Sequence, residues 1–203
     1  VWYNHAKESK QYFNRYREKH IRVNQSIRNH SFFERFGMDE ELHDNPFPED
    51  ADDELARLAQ ETIESQVGMA DSLSARTRCE RVIALHRGGF VRDARDNFHA
   101  ALVLLYGEKT SHYELARLFA YRSATMGESR AWCLQAMAWD RWLISMGKPQ
   151  RFGTQIIKKD GRWSLGALDE RVTDNDRALY AVPPLVFQQH RADKLHNQED
   201  HDT

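Results

Sequence analysis

From about residue 52 to residue 147 the apolar side chains recur at helical spacing, and only glycine and proline interrupt them. That periodicity commits the middle of the chain to α-helices. Leu55, Leu58, Ala59 and Ile63 form one stripe. Val82, Ile83 and Leu85 run up to Gly88-Gly89, a helix stop. A helix from about Arg92 to Tyr106 turns Phe98, Ala101, Leu102 and Leu105 inward. Ser111 and Glu114 have the spacing of a capping box, which predicts the start of a helix through Leu115, Leu118, Phe119 and Arg122 to Gly127. The last long helix begins near Ser129, carries Leu134, Ala138, Trp142 and Leu143, and stops at Gly147 and Pro149. Alanines recur along these helices (Ala100, Ala101, Ala116, Ala120, Ala131, Ala136, Ala138), so antiparallel neighbours can approach closely. The expectation is a mainly α fold of helical-repeat-like antiparallel helices, although no exact repeat period is present.

After Gln155 the pattern changes. Asp160-Gly161 between two short β-prone runs predicts one small C-terminal β-hairpin. Thr173 with Asp176 caps a short helix containing Arg177, and Val182-Pro-Pro-Leu185 ends it. The polar tail past His190 is expected to fray.

The first 50 residues divide in two. To about residue 36 the chain is basic and aromatic, with Lys7, Lys10, Arg15 and Arg17 among Tyr12, Phe13 and Tyr16. Such a segment can bind single-stranded nucleic acid or pack its rings on a domain or a second subunit. The whole chain carries a formal net charge of -2 and a pI near 6.6. That balance argues against nucleic acid and favours a packing arm, a candidate homodimer contact. The acidic stretch from Met38 to Glu54, broken by Pro46 and Pro48, reads as a linker. The expected organisation is therefore an arm plus linker over 1–50, a helical domain with its hairpin over 51–190, and a tail over 191–203.

No apolar run approaches the roughly 20 residues that cross a bilayer, so no membrane partner is expected. No secretory signal is visible, although the chain starts at Val1. Cys79 and Cys133 stand apart without Cys-x-x-Cys spacing, which points to reduced, buried thiols, to no metal site and to a cytoplasmic location. Phosphate-loop, dinucleotide, His-Glu-x-x-His and nucleophile-elbow patterns are all missing, so no cofactor is expected.

Two places can carry chemistry. Asp140-Arg141 lies among Trp132, Trp139 and Trp142, where a charge needs a partner. Adjacent helical residues point about 100° apart, so each must reach another element. Either they fasten the helix end to the following loop, or one of them is functional, with Arg141 anchoring an anion or Asp140 orienting a base. That loop, with Gln150, Thr154 and Gln155 around Gly153, can line a pocket or be a self-satisfied turn. The second place is His99, with Asp96 three residues earlier, a spacing suited to a positioned general base or to a simple hydrogen-bonded histidine.

The stretch from about Val82 to Leu185 resembles a bacterial family catalogued only as a domain of unknown function. The matching pieces are Asp96-Asn-Phe-His-Ala-Ala101, Tyr113-Glu-Leu-Ala116, Asp140-Arg-Trp-Leu143, Gly147-Lys-Pro-Gln150 with Phe152-Gly-Thr-Gln155, Val172-Thr-Asp174, Arg177 and Val182-Pro-Pro-Leu185. The resemblance implies a helical domain whose polar residues line a pocket. Relatives usually carry Gln-His-Gly where this chain has Leu105-Tyr106-Gly107, and a second histidine where Arg117 stands. The leading expectation is a small cofactor-independent acid–base enzyme (lyase, cyclase, isomerase or hydrolase) acting on a polar small molecule. Asp96, His99 and Tyr106 would be catalytic, and Asp140, Arg141, Gln150, Thr154, Gln155 and Arg177 would bind substrate. The alternative is a non-catalytic helical module that binds a protein partner.

Overall fold

The computed structural model describes residues 51–66 and 73–201. All of them belong to the second of the chain's two units, Pro48–Thr203. The arm and the body of the acidic linker lie outside the described residues.

Helix starts follow the side chains available to take up free N–H groups. After α1 (Ala51–Gln66), α2 (Ala75–Arg87) is capped by Ser74, whose hydroxyl accepts from the Thr77 N–H at 3.2 Å. A reciprocal capping box between Asp93 and Asp96 opens α3 (Ala94–Leu105). The Ser111–Glu114 box does not form. α4 (Thr110–Thr125) already begins at Thr110, with Lys109 at the cap position and no side-chain cap bond. Ser111 thus lies inside the first turn, whereas a capping residue needs extended backbone. α5 (Ala131–Ser145) starts two residues later than Ser129, after Glu128 accepts the Arg130 N–H at 3.1 Å. It ends in a Schellman turn: Gly147 has φ 69°, and the Lys148 N–H reaches the Leu143 carbonyl at 2.9 Å.

α3 and α4 run antiparallel and pack on each other along their length, as do α4 and α5. The Ser123 hydroxyl near the end of α4 donates to the Ala94 carbonyl at the start of α3, at 2.6 Å. Ala100, Ala101, Ala116, Ala120 and Ala138 are fully buried in these contacts, and α1 and α2 close the same core. In α1 the buried stripe is Leu55, Leu58, Ala59 and Thr62. Ile63, expected inward, is 46% exposed, because the fourth position after Leu58 is Thr62, whose hydroxyl bonds back to the Leu58 carbonyl at 2.8 Å.

A second, smaller core of Ala136, Phe152, Val172 and Val182 joins α5 to the C-terminal segments. There β1 (Ile157–Lys159) pairs antiparallel with β2 (Arg162–Ser164), with Lys159 opposite Arg162. Asp160 and Gly161 both have positive φ, 52° and 79°, as a two-residue turn of this hand requires. Thr173 and Asp176 form the capping box of α6 (Asp174–Leu179). The prolines end α6 but do not end helical structure: α7 runs Leu185–His201, so the described part of the tail past His190 is helical where fraying was expected. Asp174 accepts the Leu185 N–H at 2.8 Å, and Gln188 and Ala192, one turn apart, are buried. A cap from outside the segment and one buried stripe hold what is locally a polar stretch. Among the described residues the fold is mainly helical, and no helix is long and apolar enough to cross a membrane.

Candidate functional site

Asp140 is fully buried near the end of α5. One carboxylate oxygen accepts the backbone N–H groups of Arg151 and Phe152, at 2.7 and 2.9 Å. The other accepts the N–H and the hydroxyl of Thr154, at 2.9 and 2.8 Å. Four donors occupy both oxygens, so the group is a loop organiser with no capacity left for a substrate. Gln150, also buried, does the same from within the loop. Its Oε1 accepts the Gln155 N–H at 2.9 Å, and its Nε2 donates to the carbonyls of Gln155 (2.9 Å) and Leu165. Gly153, at φ 73°, fits closely under Leu165, Leu168 and Leu185. Buried Arg177 donates to the carbonyls of Phe152 (3.0 Å) and Val172 (3.1 Å) and to Asp174 (3.1 Å). The polar groups expected to line a pocket are turned onto the loop itself.

Arg141 reaches the other way. Its Nε donates to Gln155 Oε1 at 2.9 Å, its Nη1 to the Leu105 carbonyl at 2.7 Å, and its guanidinium lies 4.8 Å from the Tyr106 ring centroid. The Leu105 carbonyl is one of the free acceptors at the end of α3, where a cation is favoured. Burial pushes the Arg141 pKa below its ordinary value. Tyr106, Arg141 and Gln155 therefore come together, with Thr154 linked to Gln155 at 2.9 Å.

Asp96 and His99 do not join them. The Asp96 carboxylate accepts the N–H groups of Arg92 and Asp93, at 3.0 and 3.2 Å, because a carboxylate at the third helical position reaches back to the cap. No hydrogen bond links it to His99, whose Nδ1 is buried without a partner. His99 lies at the Arg130 end of α5, where Arg130 covers the neighbouring Phe98 ring at 4.6 Å. Arg130 and Arg141 are separated by roughly 16 Å of helix rise. The expected acid–base set is split between two ends of the α3–α5 pair.

A cluster missed by the sequence reading occupies the α4–α5 face. Arg117 and Arg151 each place their guanidinium carbon 5.1 Å from the centroid of the same ring, Trp139, and Arg117 also lies 5.1 Å from that of Trp142. Tyr180 packs against Phe152, Trp139 and Trp132, and Tyr121 against Trp132. The Nε atoms of Arg117 and Arg151 are buried without an acceptor, and among the described residues neither arginine has a carboxylate within salt-bridge distance. Burial lowers the Arg117 pKa and raises that of Tyr180. Gln135, buried between the two tryptophans on the stripe Trp132-Gln135-Trp139, also has an unpartnered Oε1. The available signal was the pair of stripes at helical spacing, Tyr113-Arg117-Tyr121 on one helix and Trp132-Gln135-Trp139-Trp142 on the next.

Among the described residues no three His, Cys, Asp or Glu side chains gather as a metal-ligand set. Comparison with known proteins finds no matching family model, no matching curated protein and no matching solved structure.

Proposed function

We propose that this chain is a non-catalytic helical interaction module that docks a partner on the α4–α5 face. The observation that carries the reading is the convergence of Arg117 and Arg151 on Trp139, with a buried, unpaired Nε on each. Neither guanidinium is in a salt bridge among the described residues, and each residue is only half-buried, so a partner's acceptors can pair with the part that stays accessible. Arginine, tryptophan and tyrosine are also the side chains that dominate binding energy at protein interfaces. The acid–base enzyme reading needs Asp96 and His99 to face Arg141, and it lacks that support because Asp96 Oδ2 holds the start of its own helix and His99 sits near the opposite end of α5.

The likeness of residues 82–185 to the family of unknown function fits the same proposal. Both positions where relatives carry histidine are cation–ring contacts here: Tyr106 lies under Arg141, and Arg117 covers Trp139. At Arg117 this chain would then carry a recognition contact where relatives carry a histidine.

The test compares baits. Partners captured by the unaltered protein should be lost with Arg117→Gln/Arg151→Gln and kept with His99→Ala. Capture that depends on His99 and ignores both arginines would overturn the proposal.

A further inference from the structure

The fold orients the Arg141 guanidinium without neutralising it. A guanidinium has five N–H donors. Two are used here: Nε donates to Gln155 Oε1 at 2.9 Å and Nη1 to the Leu105 carbonyl at 2.7 Å. Both acceptors are uncharged, so they fix the plane of the fork and leave its charge. Nη2 makes no hydrogen bond and, unlike Nε of Arg117 and of Arg151, is not fully enclosed. Among the described residues no carboxylate lies within salt-bridge distance of Arg141. The ionisable groups that act on it through space are two phenols, Tyr106 and Tyr113, and no acid.

Those phenols come from the two sides of one helix connection. Tyr106 is the C-cap of α3, with its ring centroid 4.8 Å from the guanidinium carbon, and Tyr113 lies in the first turn of α4. Both residues are half-buried, and each hydroxyl is without a hydrogen-bond partner yet not fully enclosed. A phenol O–H donates, as does an arginine N–H. Three neighbouring side chains thus present accessible donors, and the protein supplies no acceptor for them.

The charge count selects the acceptor. One cation flanked by uncharged donors balances a single negative charge, whereas a phosphate group carries about 1.5–2 at pH 7. The planar arginine fork also matches the two oxygens of a carboxylate.

We propose that Arg141, Tyr106 and Tyr113 bind a small monocarboxylate, with Nη2 pairing with its charge and the two hydroxyls donating to its oxygens. The site shares no residue with the Arg117–Arg151 contact on Trp139, so it stands or falls independently of the docking proposal. Acetate is the probe and acetamide, alike in shape but uncharged, is its control. Each is titrated into the full chain and followed through the Arg141 side-chain N–H signals by NMR. Acetate should bind at least about tenfold more tightly than acetamide, as expected when a charged acceptor replaces a neutral one. Tyr106→Phe and Tyr113→Phe should each weaken acetate binding severalfold while leaving the urea midpoint unchanged, since neither hydroxyl has a partner to lose in the free protein. Arg141→Lys keeps the charge but not the fork and should also weaken binding. If that variant unfolds, the two Phe variants decide. Equal affinity for acetate and acetamide, acetate binding unaltered in both Phe variants, or tighter binding of inorganic phosphate than of acetate would each overturn the proposal. So would Arg141 signals that do not move at about 100 mM acetate, a concentration that reveals even millimolar affinity.

Discussion

One carboxylate oxygen of Asp140 accepts both the backbone N–H and the hydroxyl of Thr154, at 2.9 and 2.8 Å, across 14 residues of chain. Its other oxygen holds the N–H groups of Arg151 and Phe152. Arg151 thereby reaches Trp139 from a loop whose path is set by one buried acid. The anchoring of the loop and the Arg151–Trp139 contact are coupled through it.

Asp140→Asn should destabilise the fold by about 3 kcal/mol or more, because an NH2 group then faces donors that have lost their acceptor. Thr154→Val removes one hydroxyl donor and should cost about 1 kcal/mol. Urea unfolding measures both. An unchanged midpoint for Asp140→Asn would mean that the carboxylate does not hold the loop.

Arg141→Ala should lower stability by about 2–3 kcal/mol, since it strands the Leu105 carbonyl and Gln155 Oε1. By contrast, His99→Ala should shift the midpoint little, its Nδ1 having no partner to lose. The opposite order would restore His99 as the more important group.

Gly107→Ala tests a close approach. A Cβ there would meet His112 Nδ1 at 2.3 Å and His112 Cβ at 2.8 Å. Gly107 does not have positive φ, so the cost is steric, at the upper end of about 1–3 kcal/mol. Adding His112→Ala should recover part of it. Additive losses in the double variant would remove the clash as the cause.

Stability should fall as pH drops below about 6.5, the ordinary histidine value. Burial holds the pKa of His86, His99 and His112 below that value, with Arg87 and Arg122 beside His86, Arg95 and Arg130 beside His99, and Lys109 beside His112 adding to the shift. Asp93 and Asp96 oppose it at His99, as do Glu80 and Glu108 at His112. The unfolded chain then binds more protons between the lowered values and 6.5, so this contribution is complete above 6.5 and is lost as pH falls through the folded-state values. Urea midpoints at pH 7.5 and 5.5 should differ, and His112→Asn should reduce the difference. A flat profile would refute it.

The sequence alone determined what depends on contacts three or four residues apart. The stops at Gly88 and Gly147, the Asp160-Gly161 turn and the Thr173–Asp176 cap are local, so their chemistry is written in adjacent letters. Even locally the reading slipped where two registers competed, as at Ser111 and Ile63, because one residue's offset along a helix turns a side chain through about 100°. Tertiary structure decided the rest. Asp174 caps α7 from 11 residues away, Asp140 spends its charge on a distant loop, and Asp96 is taken by its own helix cap. The meeting of Arg117 with Arg151 over Trp139 follows from how α4, α5 and the loop pack, a geometry set by the summed burial of many side chains and not by the spacing of those three.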